Sequence, residues 1–463
     1  MAPQELVDKG HGKNEPRGII RVPRSPLFEG RFGRLFRHLD PAPDLSDKQL
    51  KDLAESMREP KGAGGKLDNP KIPAAYTYFG QFVDHDITFD PVSLLQRKND
   101  PDALVDFRTP RFDLDCVYGA GPADQPYLYD QPARLKLLID KENVKGEPDL
   151  QRNTEGVALI GDPRNDENII VSQLQLIFLR FHNKVAAKVA ADKSVPSERK
   201  FEETQKLVRW HYQWVILEDF LPRIAGKEAV KDRVRRNKGE IEIDLRWFHP
   251  KNNPFMPVEF SVAAYRFGHS LIRPAYDLNQ VVTDRPIFLP KEKVGELDDL
   301  RGFRPLPGAW TIDWSFFLEG VPGKAKKPQL SRKIDARLSR ALFDLPGFPQ
   351  AESSLAFRNL KRGQALRLPS GQAVAKRIGV KPLSGKKLGA PEPTPLWFYI
   401  LKESGLKGGQ QLGPVGGQIV ADVLLGLLKG DSHSFVNTRP DWKPTFGSRG
   451  KFTLSDLVKF ALS

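Results

Sequence analysis

Apolar residues recur along much of this chain at intervals of three and four, the spacing that gathers them on one face of a helix. The longest such segment follows the polar loop at 161–168. It has apolar positions at Val171, Leu174, Leu176, Phe178 and Phe181, and over 169–179 it is apolar on most sides. That pattern predicts a helix of about 20 residues central to the core. Residues 207–220 predict a second amphipathic helix, ended by Leu221-Pro222, and 258–272 a shorter third. Over 46–57 the helix start is written in the sequence, with Ser46 as N-cap and Asp47 in the first turn. Further helices are predicted at 331–343, 357–366, 395–404 and 416–428, with a last one in the tail at 452–461. Proline and glycine are spread widely between them, which favours many short connections. Residues 1–30, polar and rich in Gly, Pro and Arg, read as an extended arm ahead of a body at 31–463.

The polar positions that interrupt this pattern carry the candidate chemistry. The stretch 76–91 sets His85 among Asp84, Asp86 and Asp90 in an aromatic setting. Ionised groups are tolerated there when paired, hydrogen-bonded or bound to a cation, so Asp84, His85 and Asp86 point to a prepared site; a solvated turn is the plainer alternative. If 79–87 is helical, Gln81 and His85 share a face while Asp84 and Asp86 flank it, and one helix can serve two sites.

Asp113 and Asp115, two apart in a loop with Thr109 upstream, resemble the alternating oxygen ligands of a hard cation such as calcium. The loop is not an EF-hand, because Val117 and Tyr118 stand at its third acidic and glycine positions. Alone, such a pair is more often a solvated turn, and its partner has to come from elsewhere. Arg164 and Glu167 stand at the start of the buried helix, either capping it and pairing with each other or edging something buried. His211, beside Tyr212, reads as a packing residue. A histidine such as His269 is usually a core residue too, but Gly268 next to it lets a flat ligand approach the helix closely, and Arg266 asks for an anion. Asn359, a poor helix former in a basic stretch, is expected to make a specific bond.

Charge and cysteine content narrow the classes. With 72 Lys and Arg against 58 Asp and Glu the net charge is +14, which attracts anions and acidic surfaces. The basic residues are scattered and not interleaved with aromatics, so no specific nucleic-acid groove is expected. The single cysteine, Cys116, excludes an intramolecular disulfide and a thiolate metal cage, so redox chemistry has to reside in a cofactor. The first residues lack the apolar core of a secretory signal and no uncharged apolar run reaches membrane-spanning length, so the expectation is a cytoplasmic protein with no membrane span.

Taken in order, these stretches resemble the animal-type haem peroxidases of the peroxidase and cyclooxygenase superfamily, in its bacterial branch, over roughly 20–460. The fold this implies is mainly α, a single large helical domain wrapped around haem b with little β structure. The resemblance implies that His85 is the distal histidine with Gln81 beside it, that Arg164 is the distal arginine, and that His269 is the proximal iron ligand. It implies that Asn359 accepts the other N–H of His269 and that Arg266 lies at the cofactor. Asp84 and Glu167 resemble the acids ester-linked to haem methyl groups in mammalian members. Asn168 stands where one member has a methionine bonded to a haem vinyl, so that link is absent. The calcium site of the family is similar to Asp86 with Thr109, Arg111 through its carbonyl, Asp113 and Asp115; the family usually has serine at the last position.

The activity implied is reduction of hydrogen peroxide by a distal His/Arg/Gln site, with oxidation of halides, pseudohalides or small phenolic donors. Two rivals stand beside it. A haem-dependent fatty-acid dioxygenase of the same superfamily would have a tyrosine three residues before the proximal histidine, where this chain has Arg266, with Tyr265 one residue too early. A non-enzymatic basic protein that binds polyanions has only the net charge in its support.

Overall fold

The computed structural model describes residues 31–88, 106, 108–140, 148–250, 255–289, 295 and 297–463. The arm expected at 1–30 lies outside these residues. The described chain is mostly helical, and its strands occur only as five two-stranded ladders, none joined into a larger sheet.

The central helices form where the apolar periodicity predicts them. Helix α1 (Asp47–Glu55) starts in a reciprocal capping box, with the Ser46 hydroxyl accepting from Gln49 N and the Gln49 side chain accepting from Ser46 N. Helix α2 (Ala75–Ile87) carries Gln81 and His85 and is buried along most of its length. Helix α3 (Ile169–Ala191) is the long buried segment, capped by the Asn168 side chain, which accepts from the N–H groups of Ile170 and Val171. Phe82 of α2 stacks on Phe178 of α3 with ring centroids 4.3 Å apart.

Helix α4 (Lys200–Val215) starts earlier than predicted and does not end at Leu221-Pro222. It runs through a π-helical turn, Ile216–Phe220, into a further helical turn, Leu221–Ala225. Pro222 does not end the run because it follows directly on the wide π-helical turn, which closes with the Leu221 N–H on the Ile216 carbonyl. The predicted helix at 258–272 is a π-helical turn, Glu259–Ala264, followed by a tighter 3₁₀ segment, Tyr265–Leu271. Helices α5 (Leu355–Ala365), α6 (Leu396–Gly405), α7 (Pro414–Gly430) and α8 (Leu454–Leu462) match the predicted segments to within a few residues.

The helix predicted at 331–343 is absent. Leu330–Arg332 is a strand antiparallel to Asp68–Pro73, and only Arg340–Phe343 is helical, as a 3₁₀ turn. Buried Ile334, Ala336 and Leu338 recur every second residue, the period of extended chain. Arg332 and Arg273 both bond Asp68, at 2.7 and 2.8 Å, which anchors the ladder. Among the described residues no helix is long and apolar enough to cross a membrane.

Two buried histidines are satisfied by the fold. His211 donates from Nδ1 to the Leu207 carbonyl at 2.7 Å, accepts from Thr445 N, and stacks on Phe446. His182 donates from Nε2 to the Leu135 carbonyl at 2.8 Å and accepts at Nδ1 from the Tyr118 hydroxyl at 3.0 Å. Burial pushes both down to about 4. The unfolded chain therefore takes up protons below about 6.5 that these folded histidines refuse, and stability is lost as pH falls from there towards 4. Urea midpoints measured across that range should fall with pH, and His211→Phe should flatten the slope whatever it does to the midpoint at neutral pH.

Candidate active site

Three elements meet at the His85 face of α2: the helix itself, the 3₁₀ turn Pro163–Asp166, and the start of α3. Gln81 Nε2 donates to Glu167 Oε1 at 2.5 Å, and the same oxygen lies 3.8 Å from His85 Nε2. The histidine and the glutamine, one helical turn apart, thus share a carboxylate from a different part of the chain.

The other ring nitrogen of His85 is held by a relay absent from the predicted set. His85 Nδ1 lies 2.7 Å from Asn165 Oδ1; Asn165 Nδ2 donates to Gln175 Oε1 at 2.8 Å; Gln175 Nε2 donates to the Cys116 carbonyl at 3.4 Å. The Cys116 carbonyl only accepts, which orients both amides and makes Asn165 Oδ1 an acceptor. His85 is therefore protonated on Nδ1, with its Nε2 lone pair on the side of Gln81 and Glu167. Asn165 lies inside the motif around Arg164, and Gln175 is one of three polar residues, with Ser172 and Gln173, that interrupt the apolar start of α3; that interruption was the available signal.

Arg164 is buried and turned towards the end of α2. It donates to the carbonyls of His85 at 3.0 Å and Thr88 at 2.7 Å, and pairs with Asp162 at 2.8 Å. It braces the turn that carries His85 as well as bringing positive charge to it. Asp84 is half-buried and its Oδ1 accepts from the Thr88 hydroxyl at 3.2 Å.

On the 3₁₀ segment, His269 Nδ1 lies 2.8 Å from the side-chain amide of Asn359, with the amide nitrogen towards the ring. A half-turn of the amide would present its oxygen to an Nδ1–H, the arrangement required when Nε2 holds a metal. A Cβ built on Gly268 would meet nothing within 4 Å, so there is open space beside His269 for a flat group. Arg266 Nε donates to the Ser261 carbonyl at 3.0 Å, and its own carbonyl accepts from Trp397 Nε1. Tyr265 turns the other way and donates to the Gly80 carbonyl of α2 at 3.2 Å.

Asp86, on the far side of α2 from the relay, meets the loop that holds Asp113 and Asp115. Carboxylate oxygens of all three lie within 4.8 Å of one another. Asp86 Oδ2 and Asp115 Oδ1 are buried without a hydrogen-bond partner, and Asp113 accepts from the Thr109 hydroxyl at 2.6 Å. Burial, then the neighbouring acids, hold the Asp86 carboxyl well above its usual range, and burial pushes Asp115 up to about 7 despite Arg108. Arg111 belongs to the same loop, its N–H bonded to the Thr109 carbonyl. Three converging carboxylates, one buried on α2 and two partly buried in an irregular loop, suit a hard divalent cation.

The His85 relay has a direct readout. In haem-free protein labelled with ¹⁵N, His85 should show the Nδ1-protonated tautomer, and Asn165→Ala should convert it to a mixture. An unchanged His85 spectrum in that variant would break the relay argument.

The profile of the family described as animal haem peroxidase matches residues 96–382, a span that holds Arg164, Glu167, His269 and Asn359 and begins just after the His85 helix. A peroxidasin homologue of Caenorhabditis elegans is 26% identical over 376 residues, 74% of this chain and 26% of the relative. Human thyroid peroxidase is 33% identical over 323 residues, 62% of this chain and 31% of the relative. The chain thus spans only about a quarter to a third of these two relatives. Among solved structures, peroxidase A of Dictyostelium discoideum matches with a TM-score of 0.63 and 14% identity over 97% of both chains. A fatty acid alpha-dioxygenase of Arabidopsis thaliana matches with a TM-score of 0.59 and 16% identity, over 95% of this chain and 82% of that one. At these identities the structural matches speak for the fold, and with more than half its length matched by the family profile this chain belongs to the animal haem peroxidase family.

Proposed function

We propose that this protein is a haem peroxidase that reduces hydrogen peroxide and oxidises halides, pseudohalides or small phenolic donors. The observation that carries the reading is the relay that holds His85 protonated on Nδ1, because it leaves Nε2 as the base beside Gln81 and Glu167.

The residues present fit haem b. Open space at Gly268 admits a flat group, His269 would hold the iron through Nε2, and Asn359 would fix its ring. When bound, haem supplies the iron at which peroxide is cleaved and the two electrons that reduce it. His85 Nε2 takes a proton from hydrogen peroxide and returns it to the departing oxygen, which leaves as water. Gln81 positions the peroxide from the same helical face. Arg164 keeps a positive charge at the His85 turn, where it favours the negative charge that develops as the O–O bond breaks. A neutral Asn359 lends His269 less basicity than a carboxylate would, which suits a strongly oxidising centre. Arg266 is assigned to the cofactor's acidic edge, and Asp84 and Glu167 to its ester linkage. The dioxygenase alternative has less support, since Arg266 occupies the position its tyrosine requires and Tyr265 is bonded to α2.

The test is the visible spectrum of haem-loaded protein before and after one equivalent of hydrogen peroxide. The Soret band should shift and return when a phenol or bromide is added; a band indifferent to peroxide would remove the reading. His269→Ala should lose tightly held haem, whereas His85→Ala should keep it and react with peroxide about 10²- to 10⁴-fold more slowly.

We further propose calcium at Asp86, Thr109, the Arg111 carbonyl, Asp113 and Asp115, on the strength of the convergent carboxylates. Chelation should lower the melting temperature and added calcium restore it, with Asp113→Ala insensitive to both. Equal melting curves with and without chelator in the unaltered protein would refute the site.

A further inference from the structure

Tyr76 lies at the opposite end of α2 from His85 and has no part in the chemistry proposed there. Its ring is buried, and its hydroxyl donates to Asp219 Oδ2 at 2.7 Å. The same carboxylate accepts from Leu454 N at 2.9 Å and from Arg223 Nε at 2.7 Å, and the Arg223 guanidinium lies 4.6 Å from the centre of the Tyr76 ring. Tyr76 also forms part of the wall of a cavity of about 240 Å³ that opens to solvent, lined besides by Arg223, Glu319, Ser455, Asp456 and Lys459. Lys459 is paired with Asp456 at 2.7 Å and Arg223 with Asp219, while Glu319 adds an acidic group to the wall, so the cavity disfavours an anion and offers hydrogen-bond acceptors to a neutral phenolic guest.

The position along α2 supplies the connection to the peroxidase site. Tyr76 precedes Gln81 by five residues and His85 by nine, about 7.5 and 13.5 Å along the helix axis. One turn after Tyr76, the Gly80 carbonyl accepts from Tyr265, four residues before His269 on the chain. Tyr76 thus stands on the helix that carries His85, and Tyr265 is bonded to that helix one turn further on, with axial spacings short enough for single-electron transfer through the protein.

We propose that Tyr76 is a second oxidation site, where phenolic donors too bulky to reach the haem are oxidised from the Asp219-side cavity through a tyrosyl radical. The inference rests on the peroxidase reading above. Hydrogen peroxide is reduced to water by two electrons and two protons, leaving the haem centre two electrons short. Tyr76 gives one electron to that centre as its phenolic proton passes to Asp219, forming a neutral phenoxyl radical. A phenolic donor in the cavity returns one electron to Tyr76 and loses its own proton to water, while Asp219 hands its proton back. Two such donors are oxidised per peroxide.

The local chemistry suits a coupled transfer. Burial, reinforced by Asp219, holds the Tyr76 phenol well above its usual range, so it is neutral at rest. The cation over the ring opposes loss of an electron alone, and the 2.7 Å bond to Asp219 lets the proton leave with it. A purely structural Tyr76–Asp219 pair would also anchor the start of α8 through Leu454, so the test reads the radical itself.

Haem-loaded protein is mixed with peroxide, frozen, and examined by electron paramagnetic resonance; in parallel, turnover of a phenol coupled to soluble dextran is compared with that of free phenol. The unaltered protein should give a tyrosyl signal, narrowed when its tyrosines are ring-deuterated. Tyr76→Phe should lose that signal and lower the ratio of dextran-bound to free phenol turnover at least tenfold. Ser455→Trp, which leaves Tyr76 in place and fills the cavity, should keep the signal and lower the same ratio. An undiminished signal in Tyr76→Phe, or an unchanged ratio in Ser455→Trp, overturns the second site while leaving the peroxidase reading intact. A Soret band that ignores peroxide in the unaltered protein overturns both.

Discussion

The hydrogen bond from His85 Nδ1 to Asn165 is the constraint on which the site depends, because it decides which ring nitrogen carries a proton. It is fixed only because Asn165 is oriented by Gln175 of α3, and Gln175 by a backbone carbonyl that cannot donate. A side chain on α2 therefore takes its protonation pattern from α3. The two helices are locked by apolar packing, Phe82 on Phe178, so the polar relay is short and its geometry cannot drift. Buried amides in an apolar helix are costly unless every group is bonded, and here the chain of donors ends on an acceptor that needs nothing further.

The same helix carries the opposite electrostatic problem on its other side. Asp86 faces two further acids with no matching charge of its own, while Arg108 is divided between Asp115 and Asp162, and Asp162 in turn holds Arg164. The carboxylate cluster and the arginine behind His85 are thus linked through one guanidinium. Three ion pairs in series, Asp115 to Arg108, Arg108 to Asp162 and Asp162 to Arg164, run from the cluster to the His85 turn.

The parts legible in the sequence were those fixed by local pattern. The capping box at Ser46, the buried run of α3 and the shared face of Gln81 and His85 all follow from spacing alone, and His211 was recognisable as a packing residue from its aromatic neighbourhood. What escaped was set by distant partners. Ile334, Ala336 and Leu338 alternate, but their period competes with helix-forming neighbours until Arg332 is drawn to Asp68. Asn165 and Gln175 acquire meaning only when α2 lies beside α3, and a proline at position 222 looks like an ending unless the preceding turn is known to be wide.

That wide turn has a consequence of its own. Tyr212 and Phe220 both meet the edge of Phe79, with centroids 6.1 and 5.3 Å away, although eight residues apart on a regular helix point about 80° away from each other. The single extra residue absorbed between Ile216 and Phe220 cancels that rotation and returns Phe220 to the side of α2, with Asp219 beside it. The segment is thus specified by arithmetic more than by composition. Exchange of one apolar residue for another leaves the count intact, whereas losing one residue would straighten the helix and swing Asp219 and Phe220 away from the element they were positioned to meet.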